Sequence, residues 1–217
     1  MPKPRPAAGG GRWVPVDPER LGRWLAGFAD RNGTPLTCTG IPDGLAVSAP
    51  DGTRAECHLP FGWPDRPGTD TPALVAAAAV ARRVGLLLVR RGAHAVGLAH
   101  GDRLLASKVD TRYVQGRTAA GGWSQQRFAR RRDKQTRESA GAAADHAARL
   151  LHPEDLHGLV VGGDRALVAA VLADPRLAAL ADLPRLELTD VPEPRRATLV
   201  DAARRYRQVR IRLTDPT

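Results

Sequence analysis

The chain has 217 residues, a net charge of +10 and only 4% aromatic residues, so its core must be built from Ala, Leu and Val. With 42% hydrophobic and 26% charged residues it has a globular rather than a disordered composition, and its length suits one ordinary domain with a small addition. The longest apolar run, Pro72 to Ala81, is too short to span a bilayer, and the basic, Pro/Gly-rich stretch up to Gly11 lacks the apolar segment of a secretory signal. Cys38 and Cys57 are the only cysteines, which without a signal fits reduced thiols in a cytoplasm. All but Lys3, Lys108 and Lys134 of the 33 basic residues are arginine. A GC-rich genome explains that bias, yet a cationic protein attracts polyanions whatever its codon history.

Residues 1–12 read as a flexible tail. A helix is predicted from Asp17 to about Asn32, with Asp17 as N-cap, Pro18 at the first helical position and Gly33 as its end. Leu21, Leu25 and Phe28 share one face. Leu45 to Ala49 and Thr53 to Leu59 flank Pro50-Asp51-Gly52 and predict a hairpin. Residues 61–70 are loop, and Thr71 to Arg83 is an Ala-rich helix.

The pattern changes after Arg83. Val84 to Val89, Ala93 to Ala99 and Leu104 to Val109 are three strands separated by Arg90-Arg91-Gly92 and His100-Gly101-Asp102, a meander. Thr111 to Ser124 is polar and aperiodic, and a long helix follows from about Gln125 to Leu151. Gly158 to Val161 is a buried strand ending in Gly162-Gly163, and Asp164 caps the next helix. A short strand at Arg185 to Leu188, a helix from Pro194 to Tyr206 and a closing strand at Val209 to Leu213 complete the chain. The expected fold is α/β: a mixed sheet with helices on both faces over 76–217, preceded by a small helix-and-hairpin region over 13–75.

The informative segment is Thr111 to Glu138. It carries eight cations against two carboxylates, more than half of the whole charge excess. Arg127, Arg130, Arg131, Lys134 and Arg137 fall at i, i+3, i+4, i+7 and i+10, one stripe of a helix. With almost no acidic partners one turn away the stripe repels itself, which suits a phosphate backbone better than a merely solvated face.

Gly121-Gly122-x-Ser124-x-x-Arg127-Phe128-Ala129-Arg130 resembles the Gly-Gly-Gln loop and following helix of the eukaryotic and archaeal class-one peptide release factors. The meander from Val84 to Asp110 and the stretch Gly158 to Gly163 are similar to the middle domain of those factors, whose layering is ribonuclease-H-like. The motif's glutamine falls here on Trp123, and a glutamine stands two places later at Gln125. This Gly-x-x-Gln form resembles the Vms-type, or VLRF, branch, and the composition resembles its actinobacterial members, described as peptidyl-tRNA hydrolases.

The resemblance implies a ribosome-rescue enzyme of the cytoplasm, needing no cofactor and no metal. It implies Gln125, Gly121 and Gly122 as the catalytic loop, with Gln126 as the second candidate glutamine. Trp123, Arg117, Arg127, Arg130, Arg131 and Lys134 are the expected RNA contacts. The expected partners are the ribosome or its large subunit, peptidyl-tRNA and ribosomal RNA, with no membrane; the oligomeric state is left open. One helix and a hairpin look too small for a decoding domain, and no partner-binding domain is expected after residue 217, so release should not depend on a stop codon. The alternatives are a catalytically silent ribosome- or RNA-binding module and an endonuclease acting at the tRNA 3′ end. A metal nuclease fits poorly, because Asp110, Asp133, Asp164 and Asp190 are scattered, and the six histidines lack ligand spacing and read as structural or exposed.

Overall fold

The computed structural model describes residues 5–7, 10–65, 67–111, 138, 140–151 and 154–216. In chain order the first elements are β1 (Arg5–Pro6), β2 (Arg12–Val16), α1 (Pro18–Asn32), β3 (Thr37–Ile41), β4 (Gly44–Ser48), β5 (Arg54–His58) and α2 (Thr71–Ala79). The meander β6 (Arg83–Arg90), β7 (Ala93–His100) and β8 (Arg103–Thr111) follows, and then helix α3, which covers 140–151. Last come β9 (Gly158–Gly163), α4 (Arg165–Leu172), α5 (Ala178–Ala181), β10 (Arg185–Leu188), α6 (Arg196–Arg205) and β11 (Val209–Thr214). The chain divides into two compact units, Met1–Ala81 with Arg205–Thr217, and Arg82–Arg204.

The first unit is a six-stranded antiparallel sheet in the order β1-β2-β11-β5-β4-β3. Helix α1 starts with Pro18, whose fixed φ suits the first turn, and ends at Gly33, whose φ of +94° few other residues adopt. Leu21, Leu25 and Phe28 are buried, as their i, i+4, i+7 spacing predicts. Asp17 occupies the N-cap position, but its carboxylate makes no cap hydrogen bond and instead accepts one from Gln208 Nε2 at 2.9 Å. The hairpin β4–β5 turns through Asp51, whose Oδ1 accepts from the Thr53 N–H at 2.8 Å. One core joins Val16, Phe28, Leu45, Val47, Cys57, Leu74, Val209 and Ile211. Burial pushes the Cys57 thiol up to about 12, with a smaller contribution from Cys38, so in this core it behaves as a small hydrophobe.

Sequence reasoning and structure differ at both ends of this unit. Arg5 and Pro6, expected in a flexible tail, pair with Trp13 and Arg12 of β2. The closing strand β11, expected in the α/β sheet, is hydrogen-bonded between β2 and β5. Its residues alternate, with Val209 and Ile211 fully buried and Arg210 exposed, which is the pattern of a sheet wet on one face. Strand β6 between its terminal arginines and strand β9, by contrast, are continuously apolar, the pattern of strands covered on both faces.

The second unit is a mixed five-stranded sheet in the order β10-β9-β6-β7-β8. Strands β10, β9 and β6 are parallel, and β7 and β8 complete the meander by antiparallel pairing. One face buries Leu87, Val89, Val96 and Leu98 against Ala143, Ala147 and Leu151 of α3 and Leu167, Val168 and Val171 of α4. On the opposite face α6 comes close: a Cβ on Gly97 would lie 3.3 Å from Leu199 Cδ2. Helices thus cover both faces, as the meander and the later helix-strand alternation predict. Gly163 makes the turn out of β9 with a φ of +101°, and a Cβ there would stand 2.1 Å from the Val89 carbonyl oxygen. The Asp164 carboxylate then caps α4, accepting from the N–H groups of Ala166 at 2.9 Å and Leu167 at 3.2 Å.

Candidate nucleic-acid interface

Strand directions decide where the informative segment is attached. β8 runs parallel to β6 because each is antiparallel to β7, so β6, β8, β9 and β10 all end at the same edge of the sheet. Arg90, Thr111, Gly163 and Leu188 are their last residues. The chain leaves β8 at this edge to enter 112–137. In open α/β sheets the carboxyl ends of the strands are where ligands are met. A cleft of about 380 Å³ opens at this end of the sheet beside α4, lined among others by Arg90, Gly163, Arg165, Arg185, Glu187 and Asp190. Arg165 Nη2 lies 2.8 Å from Glu187 Oε2 across it, and both side chains are exposed.

At the root of the segment sits a histidine pair. His94 of β7, only 2% exposed, faces Asp110 across the β7–β8 ladder. Its Nε2 is 2.8 Å from Nδ1 of His146 on α3. One ring must donate and the other accept, so the bond tolerates one added proton but not two. Burial depresses the His146 pKa, helped by Arg149 and Lys108 and opposed by Asp110 and Asp145. Arg176 adds an exposed tie to the same helix, 2.7 Å from Asp145 and 2.7 Å from Asp174, and its hydrogen bonds hold the Asp174 carboxyl down at about 2. The sequence reads each histidine as structural or exposed. Their pairing has no signature in the sequence, because strand register and the packing of α3 bring together residues 52 positions apart.

The histidines give the fold a pH dependence with a definite sign. A folded pKa below the unfolded value of 6.5 means that the unfolded chain takes up the proton first. The His146 contribution is therefore fully present above about pH 6.5 and is lost as the pH falls through the depressed folded value. His157, depressed by burial and then by Arg82, acts in the same direction. Thermal unfolding is expected at a lower temperature at pH 5.5 than at pH 7.5, with a smaller difference in His146→Gln. Parallel pH curves for the two proteins would remove His146 as a source.

The sequence-predicted site residues Arg117, Gly121, Gly122, Trp123, Gln125, Arg127, Arg130, Arg131 and Lys134 lie outside the described residues, as does Gln126. The helix expected from Gln125 is described at 138 and over 140–151 only. Among the described residues no group of three His, Cys, Asp or Glu side chains could hold a metal ion, and no helix is long and apolar enough to cross a membrane.

Residues 82–212 match the family described as Actinobacteria/chloroflexi VLRF1 release factor. Over 83 residues the chain is 36% identical to peptide chain release factor subunit 1 of Thermococcus onnurineus and, to the same degree, of Pyrococcus abyssi. Those alignments cover 36% of this chain and 20% of each relative, so the chain spans about a fifth of the length of the curated relatives it matches. Among solved structures it is similar to an archaeal protein at 19% identity and a TM-score of 0.34, over 74% of this chain and 52% of the other. It is also similar to an archaeal translation termination factor at 17% identity and a TM-score of 0.35, over 88% of this chain and 73% of the other. The family match runs through the meander, the cationic segment, β9 and β10 and covers more than half of the sequence, and on that ground the chain belongs to the Actinobacteria/chloroflexi VLRF1 release factor family.

Proposed function

We propose that this protein is a stop-codon-independent peptidyl-tRNA hydrolase of the cytoplasm, which frees nascent peptides from stalled ribosomes or large subunits. The observation that carries the reading is the release-factor family match over 82–212, which includes Gly121-Gly122-Trp123-Ser124-Gln125. Peptidyl-tRNA holds its peptide through an activated ester, so release needs water placed against a carbonyl and little else. A glutamine amide has no pKa near 7 and is no general base. It can orient water and donate a hydrogen bond to the developing oxyanion. Gly121 and Gly122 let the backbone approach closely, and Trp123 offers a plane on which a terminal base can stack. Arg117, Arg127, Arg130, Arg131 and Lys134 hold RNA phosphates around the loop. Attachment at the carboxyl edge of the β6, β8, β9 and β10 strands supports the assignment.

The test is incubation of the full chain with ribosomes carrying peptide-labelled peptidyl-tRNA, followed by analysis of both products. Free peptide together with full-length tRNA is the expected result. A shortened tRNA would replace ester hydrolysis by cleavage of a phosphodiester near the 3′ end. Ribosome binding without either product would leave a silent binding module.

A further inference from the structure

The sheet of the first unit has a second face that its core does not use. Residues paired directly across an antiparallel ladder share a face, so the pairings define three rows. Arg5, Trp13, Arg212, Glu56, Ala46 and Thr39 form the first. Pro15, Arg210, His58, Gly44 and Ile41 form the second, and Thr214, Arg54, Ser48 and Thr37 the third. The core cluster of the unit takes no residue from these rows; within them Ala46, at 1% exposed, and Gly44 are buried, and the exposed part of the face lies around them. Four arginines stand here against Glu56, which Arg54 holds at 3.3 Å and Arg212 at 3.7 Å, and against Asp43, which accepts from His58 Nδ1 at 2.8 Å. The Arg210 guanidinium lies 4.7 Å from the Trp13 ring centroid, and Trp13 is 5.4 Å from His58. Arg5, Arg210, Thr37, Thr39 and Thr214 are exposed.

We infer that this face is a second RNA-binding surface, which takes a single-stranded segment across the sheet. The chemistry fits that occupant. Guanidinium forks meet phosphate oxygens in pairs. Arg210 on β11 and Arg54 on the neighbouring strand β5 carry such forks on this face. The Trp13–Arg210 stack presents a flat cationic plane for a base, and the threonine hydroxyls of the edge strand can hydrogen-bond ribose or base edges. With Ala46 buried, the apolar side chains left in these rows, Pro15 and Ile41 beside Trp13, are too few for an apolar protein interface. Among the described residues β11 is the one strand of this sheet that follows the α/β unit in the chain, so Arg210 joins Trp13 and Arg54 only when the fold closes. That the bound RNA is ribosomal rests on the proposed function; binding itself does not.

The experiment uses the full chain and a fluorescein-labelled oligouridine 12-mer, with affinity read by anisotropy between 50 and 250 mM KCl. Arg54→Gln/Arg210→Gln is expected to weaken binding by about 10- to 30-fold near 0.1 M salt and to flatten the log–log salt slope by about 1.4, two single-strand phosphate contacts. Trp13→Ala should lose about fivefold or more, with most of it restored in Trp13→Phe, as stacking requires. Circular dichroism melts check that each variant is folded, and the arginine pair serves if Trp13→Ala is not. Unchanged affinity and slope in the arginine pair would overturn the inference. So would a loss of ribosome binding in that variant with its oligouridine binding intact, which would mean a protein partner. Loss of oligouridine binding together with full release by a Gln125→Ala protein would instead sink the proposed active loop and leave this surface standing.

Discussion

Gln125→Ala is expected to bind ribosomes normally and to release peptide roughly 100- to 1,000-fold more slowly, the cost of about 2.7–4 kcal/mol for removing one positioned donor to a developing oxyanion. Gln126→Ala should be much milder, because at the predicted helix start the next side chain points about 100° away. Gly122→Ala should be damaging through backbone geometry rather than lost contacts. Replacing two arginines of the 127–134 stripe should raise the concentration of protein needed before it lowers the maximal rate, as the proposed role in binding rather than reaction requires. Single-turnover release from labelled peptidyl-tRNA separates these cases. Full activity in Gln125→Ala with loss in Gln126→Ala would move the assignment one residue. Full activity in both would make the loop non-catalytic.

The second large effect concerns the closing strand. β11 lies between β2 and β5, with Val209 and Ile211 fully buried. Ile211→Ala is expected to destabilise the first unit by about 2–5 kcal/mol, the usual cost of truncating a buried branched side chain. Removing residues 209–217 would strip β2 and β5 of the ladder bonds each makes to β11, leaving β2 with the two-residue strand β1 and β5 with β4, and would expose the core around Phe28 and Cys57. Hydrogen exchange should then show β2 and β5 unprotected while β6 and β9 keep their protection. The reverse pattern would place the last strand in the α/β sheet after all.

These two experiments probe what the sequence declares and what it conceals. The meander was legible because Arg90-Arg91-Gly92 and His100-Gly101-Asp102 punctuate three apolar runs, and turn chemistry is local. Helix α1 was legible from Pro18, Gly33 and the spacing of Leu21, Leu25 and Phe28. The Gly-x-x-Gln segment and its cationic stripe were legible as residue types in order, and they carried the family resemblance that the match over 82–212 bears out. The tertiary structure alone decided which sheet received Val209–Thr214, since a strand's partners depend on faces assembled from distant parts of the chain. Its alternation of Val209, Ile211 and Leu213 with Arg210 and Arg212 was a readable sign of a sheet wet on one side, but not of which sheet. β2 and β3 went unread because Arg12–Val16 contains a proline and Thr37–Ile41 is a short, polar edge strand without an apolar face of its own. The His94–His146 bond and the arginine–tryptophan face of the first unit belong to the same class. Sequence supplies the side chains, and only ladder register and helix packing bring residues 52 and 197 positions apart into one place.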